Sequence, residues 1–226
     1  MIDIHTHTER GDRPGVVQVR NVRLQDIGNL NFGDGLYSVG FHPWDSGTVN
    51  FDLDRMNQAA AHPHVIAIGE CGIDRLRGAG QDLQSALFRE QALIGEIHEK
   101  PLVIHCVGAW QEIIAIKKTI RPDVPWIIHG FRGKPELAAQ LTSQGFYLSF
   151  GESIINPADS VGSSFISTHN GRIFLETDES PHPIEDIYFA AADIKRLSLN
   201  DLQRVIDQNF EKVFGIHGTS RMAAKD

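Results

Sequence analysis

Eight short runs of aliphatic, β-branched and aromatic residues are spaced along the chain, and a helical or loop-like stretch separates each from the next. This alternation is the signature of βα units laid on a parallel sheet. The runs are Ile2–His5, Val16–Val22, Leu36–Gly40, Val65–Glu70, Leu102–His105, Trp126–His129, Phe146–Phe150 and Arg172–Thr177. Eight of them predict an α/β chain of the TIM (β/α)8-barrel type. A length of 226 residues, 41% of them hydrophobic, suits one such barrel, so residues 1–226 are read as a single domain.

Helical patterns fill most of the intervals. Asp82–Glu99 places Leu83, Leu87, Ile94 and Ile97 on one face, with Ala86 and Leu93 beside it. Trp110–Ile120 follows the fifth run, and Pro135–Gln144 opens with a proline and stops near Gly145. Ser198 reads as the N-cap of a last helix that reaches Phe214 and ends at Gly215. The interval Thr8–Gly15 is too short for a helix, and the pattern at Leu24–Leu30 is meagre, so the barrel is expected to be abbreviated near its first βα units.

A formal net charge of −8 argues against broad binding to a nucleic-acid duplex, and an anionic substrate would need local positive charge. No apolar run approaches the roughly 18 residues of a membrane span. The N-terminal stretch lacks the basic and apolar regions of a secretion signal, so a cytoplasmic location is expected. Two cysteines, Cys71 and Cys106, make no disulfide framework and read as small reduced thiols.

The residues at the ends of the runs are chemically alike. The first closes on His5-Thr6-His7, the fourth on Gly69-Glu70, the fifth on His105, the sixth on His129 and the eighth on Glu176-Thr177-Asp178. In a βα barrel the C-terminal strand ends converge on the active-site face. Residues two apart on a strand point the same way, so His5 and His7 can both face that mouth. Four imidazoles and two carboxylates form a mixed nitrogen and oxygen ligand set suited to divalent metals. Six ligands exceed the needs of one tetrahedral ion, whereas two ions sharing a carboxylate would use all six. Glu70 is the natural bridge, and two ions can clamp a reacting ester.

The ordered series His5-Thr-His7, GFHPWD (Gly40–Asp45), IGECGID (Ile68–Asp74), PLVIHC (Pro101–Cys106), HGFRG (His129–Gly133) and LETDES (Leu175–Ser180) resembles the TatD-like hydrolases of the amidohydrolase superfamily. QNFEKVFG (Gln208–Gly215) is similar to that family's C-terminal helix. The resemblance implies a TIM-type barrel with two divalent ions (Zn, Mg or Mn) that hydrolyses phosphodiesters, typically as a deoxyribonuclease, with a metal-activated hydroxide. Carried over by motif, His5 and His7 would hold one ion, with Glu70 bridging and Asp178 completing the site. His105 and His129 would hold the second. Asp178 resembles the general base, which makes it and Glu70 the expected catalytic carboxylates. The chain departs from the family where Asp74 is followed by Arg75 rather than tyrosine. It departs again in Cys106-Val-Gly-Ala109 and in the longer Asp178-Glu-Ser-Pro-His182.

Substrate contacts are expected from His42, Arg132 and His182. His42 can alternatively touch a ligand carboxylate, and Trp44 either stacks on a nucleobase or covers the barrel rim. Basic residues at Arg10, Arg13, Arg75, Arg77, Arg132 and Lys134 fall in loops of the same face and would focus a phosphate there. The family resemblance implies DNA or a small phosphodiester as the substrate, with no membrane or protein partner inferred. A superfamily hydrolase of a lactone, amide or other small ester is the alternative. A phosphatase of the PHP type is disfavoured, because Thr8-Glu-Arg-Gly-Asp-Arg13 stands where its Ser-Asp-Gly would follow the first motif. A non-enzymatic binding module would require a broken ligand set.

Overall fold

The computed structural model describes residues 1–8, 13–29, 32, 34–157 and 159–216. Its strands are β1 (Ile2–Thr6), β2 (Val17–Arg23), β3 (Leu36–Gly40), β4 (Val65–Asp74), β5 (Leu102–Val107), β6 (Trp126–Ile128), β7 (Tyr147–Phe150) and β8 (Ile173–Leu175). They form one sheet in the order β1 to β8, the TIM-barrel order expected from the sequence. The helices are α1 (Leu53–Ala61), α2 (Gln81–Ile97), α3 (Trp110–Ile120), α4 (Pro135–Ser143), α5 (Asp159–Ser167), α6 (Ile184–Lys195) and α7 (Leu199–Phe214). The abbreviation is also present. Among the described residues no α-helix joins β1 to β2, and only a 3-10 segment, Leu24–Asn29, joins β2 to β3. No helix among them is long and apolar enough to cross a membrane.

The chain packs as two compact units, residues 20–128 and residues 1–19 with 129–226. In the continuous unit, β3, β4, β5 and β6 pair in parallel, and Ile68, Phe88, Ala92, Ile104 and Trp126 are fully buried. Strand β4 runs four residues past the expected end at Glu70. An irregularity in its pairing with β5 falls between Ile68 and Cys71, and beyond it Gly72 pairs with His105 and Asp74 with Val107. A bulge of this kind re-aims a side chain without ending the strand. Gly72 is required here: it has φ +145°, and a Cβ would lie 2.0 Å from the carbonyl oxygen of His105.

The buried face of α2 differs from the apolar face expected. Leu83, Leu93 and Ile97 are exposed, while Gln84, Phe88, Gln91, Ala92 and Gly95 turn inward with Ile94. The cause is backbone satisfaction. The Gln91 side chain accepts from Phe41 N at 2.7 Å and donates to Phe41 O at 3.0 Å, pairing both polar groups of a buried residue. Helix α1, outside the sequence reading like α5 and α6, is capped by Asp52, whose carboxylate accepts from Arg55 N at 2.9 Å.

In the discontinuous unit, β7 pairs with β8, and β8 leads into β1 through a bridge between Thr6 and Asp178. Fully buried Ile4, Phe150, Phe165, Phe174, Tyr188 and Phe210 make its core. The Tyr188 hydroxyl accepts from Ile2 N and donates to Ile2 O, both at 2.9 Å, which fastens α6 to the first strand.

Candidate metal centres

In the discontinuous unit, His5, His129 and Asp178 each offer one ligand atom, and these atoms lie within 4.8 Å of one another. The His5 and His129 ring centroids are 4.5 Å apart, and His7 stands edge-on to His5 at 5.0 Å. Asp178 Oδ1 is 3.7 Å from His5 Nε2 and 3.5 Å from His7 Nε2. The backbone sets this approach: Asp178 N donates to His5 O at 2.9 Å and His7 N donates to Asp178 O at 3.2 Å. Thr177 locks the same turn, its N and Oγ1 donating to the buried Asp3 carboxylate at 2.9 and 2.7 Å. Asp178 itself has φ 53°, a left-handed conformation uncommon outside glycine and best tolerated by Asn and Asp.

Beneath this set lies a carboxylate to which the sequence reading gave no role. Glu176 is fully buried, with Oε1 accepting from Gly130 N at 2.6 Å and 3.4 Å from His129 Nδ1. Burial pushes its carboxyl up, but the hydrogen bond and charge of His129, with the charge of His5, outweigh this and leave it below the ordinary value. A carboxylate on Nδ1 fixes the ring and directs Nε2 toward the other ligands.

In the continuous unit, His42, Glu70 and His105 form a second set with ligand atoms within 4.8 Å. His42 Nδ1 accepts from Trp44 N at 3.1 Å, so that nitrogen carries no proton. Nε2, 2.9 Å from Glu70 Oε1, is then the donor. Burial lowers the His42 pKa, which favours this neutral form. His42 thus orients Glu70, although its position also lies within ligand range. His105 is gripped at both nitrogens, Nδ1 2.7 Å from Glu70 Oε1 and Nε2 3.1 Å from Asp74 Oδ2. Asp74 plays the part that Glu176 plays for His129, presenting Nδ1 to the Glu70 carboxylate. Burial tends to raise the Asp74 pKa, but hydrogen bonds from Trp44, Leu76 N and His105 bring it below the ordinary value. Ligands held at about 2.1 Å from an ion lie a few Å apart, so each donor set fits one divalent ion after side-chain adjustments.

The remaining expected residues are more dispersed. Arg132 and His182 are exposed, with His182 Nδ1 3.5 Å from Asp186 Oδ2. Arg13 pairs with Glu185 and Arg75 with Glu112, while Arg10 lies outside the described residues. Cys71 and Cys106 are not ligands in either set. Burial raises both thiols, Cys106 to about 12 and Cys71 beyond the range of an ordinary thiol, so both stay protonated and inert.

Residues 14–215 match the family model described as TatD-related DNase. This chain belongs to the TatD family. A metal-dependent hydrolase of Bacillus subtilis, YabD, is 27% identical over 202 residues, covering 81% of this chain and 79% of its own. The 3'-5' ssDNA/RNA exonuclease TatD of Cronobacter turicensis is 31% identical over 114 residues, 49% of this chain and 43% of its own. Among solved structures, the TatD homologue YJJV of Escherichia coli K12 superposes with a TM-score of 0.80 at 19% identity, covering 95% of this chain and 98% of that one. That likeness establishes the TIM-barrel fold of this TatD family member.

Proposed function

We propose that this TatD-family hydrolase is a divalent-metal-dependent phosphodiesterase acting on nucleic acid, and that both units of the chain serve this one activity. The observation that carries the reading is the presence in each unit of an imidazole and carboxylate set backed by a carboxylate that orients a histidine. His5, His7, His129 and Asp178 would hold one ion, and Glu70 with His105 a second. Zn, Mg and Mn all suit such donors. When bound, such ions act as Lewis acids on the phosphoryl oxygens and lower the pKa of water towards neutrality.

The chain's own groups supply the rest. Asp178 is partly exposed and backed by two ring nitrogens, a position from which its carboxylate takes the proton of the attacking water. Arg132 and His182, both exposed, are the proposed phosphate contacts. The shared-carboxylate role of Glu70 is part of the proposal, and metal analysis of Glu70→Ala tests it: a bridge loses both ions and a local ligand loses one.

The decisive assay is hydrolysis of an activated phosphodiester and of a labelled single-stranded oligonucleotide, metal-free and with Mg²⁺, Mn²⁺ or Zn²⁺. Both should be cleaved only with metal, and Asp178→Asn should lower the rate roughly 10²–10⁴-fold with the circular dichroism unchanged. Cleavage of neither substrate by ion-loaded protein would sink the phosphodiesterase reading in favour of a lactone or amide substrate.

A further inference from the structure

Beside the His42, Glu70 and His105 set stands an aromatic side chain that metal binding does not require. Trp44 sits in a 3-10 turn, Pro43–Asp45, and is 36% exposed. Its ring centroid is 4.8 Å from that of His42 and 5.8 Å from that of His105. Its Nε1 donates to Asp74 Oδ2 at 2.6 Å, the same oxygen that His105 Nε2 approaches. The indole is thus pinned in one orientation, one carboxylate away from a candidate ligand. The Arg77 guanidinium lies over it, its carbon 4.3 Å from the ring centroid. Arg75 is neutralised by Glu112, but Arg77 has no carboxylate partner among the described residues.

The surroundings brace the backbone that carries this pair. The Asp45 carboxylate takes Arg23 Nη1 on one oxygen and Gln25 Nε2 on the other, each at 2.9 Å. Ser46 Oγ donates to Pro43 O and accepts from Ala79 N at 3.0 Å, tying the turn to the loop that carries Arg77. The buried Gln84 amide braces that loop from within, with Nε2 near Asp74 O (3.0 Å), Arg77 O (2.8 Å) and Ala79 O (2.7 Å). Gly78 adopts φ +83°, and a Cβ there would stand 2.2 Å from Pro43 O. The packing therefore favours one loop geometry, the one that lays Arg77 over Trp44.

An anchored, part-exposed indole with a guanidinium over its ring matches the chemistry that grips an unpaired nucleobase and its phosphate. It also supplies local positive charge on a chain of net charge −8. We propose that Trp44 and Arg77 form a base-stacking clamp that selects diesters bearing an unpaired nucleobase, as in a single-stranded end. This rests on the phosphodiesterase reading above and names the residues that would read the base beside the same site.

Two arms test it. In the first, tryptophan fluorescence is followed while the full chain, in chelator, is titrated with single-stranded oligothymidylate. Quenching is expected in the wild type and should be absent in Trp44→Phe, which keeps Trp110 and Trp126; Arg77→Ala should bind more weakly. No quenching, or equal quenching in Trp44→Phe, overturns the clamp. In the second arm, metal-loaded enzyme cleaves an oligonucleotide and its counterpart with abasic residues at both ends. Stacking is worth about 1–3 kcal/mol per base, so the wild type should prefer the base-bearing strand roughly 5- to 150-fold in kcat/KM. That preference should collapse toward one in Trp44→Ala and shrink in Arg77→Ala. A preference kept in both variants, or absent from the wild type, means the indole only covers the rim. Failure of the phosphodiesterase reading shows as no diester cleavage with any metal, and the binding arm still decides the clamp.

Discussion

Single residues carry the chemistry through their partners. Asp74 lies against Nε2 of His105 and Glu176 against Nδ1 of His129, which turns the other nitrogen of each ring toward its candidate set, for His105 toward Glu70. Removing such a partner commonly costs 10–100-fold in metal affinity. Asp74→Asn and Glu176→Gln are accordingly expected to lower affinity by about that factor with the fold retained, read by competition with a chromophoric chelator. Unchanged affinity in both would mean that the two carboxylates merely fill space. The positions gathered into the candidate sets were legible because strand alternation and strand ends are written in the chain: His5 and His7 are two apart, and His105 and His129 each close an apolar run. Asp74 was hidden, because its place depends on a bulge in β4 that no pattern announces. Glu176 is visible in the chain two residues before Asp178, but its contacts with His129 and Gly130 N depend on tertiary packing that no local pattern announces.

Elements were legible to the extent that period alone decides them. The eight strands and helices α2, α3, α4 and α7 follow from apolar spacing and caps. The inward face of α2 did not, because Gln84 and Gln91 are buried for their amides. Those amides satisfy the ends of strands and a loop, and apolar Leu83 and Ile97 are left outside. The energetic consequence is direct. Gln91→Leu strands the buried N–H and C=O of Phe41, and an unsatisfied buried group costs about 1–3 kcal/mol. A fall of that size in unfolding free energy, measured with denaturant, is expected although leucine is the more hydrophobic residue. A neutral or stabilising result would show that Phe41 finds other partners.

At the scale of the whole molecule, stability should depend on alkaline pH through two lysines, one in each unit. Burial lowers Lys100 and Lys195 to about 8 from the ordinary 10.5, although each ammonium reaches backbone carbonyls, those of Ala60 and His62 for Lys100 and of Ile166 and Thr168 for Lys195. Between these values the unfolded chain binds more protons than the folded one, so stability rises with pH from about 8 to 10.5. Comparing melting temperatures across that range, Lys100→Met should reduce the rise and the double variant with Lys195→Met should remove it. An identical rise in all three proteins would assign it to other groups. The two units also differ in continuity. Residues 20–128 form one unbroken stretch, whereas the other unit joins residues 1–19 to 129–226. A ribosome therefore releases the Glu70 and His105 set while His5 and His7, synthesised earlier, still wait for His129 and Asp178. Order of synthesis and order of assembly are reversed for these two histidines: of the two sets, the nascent chain exposes their imidazoles longer and encloses them later.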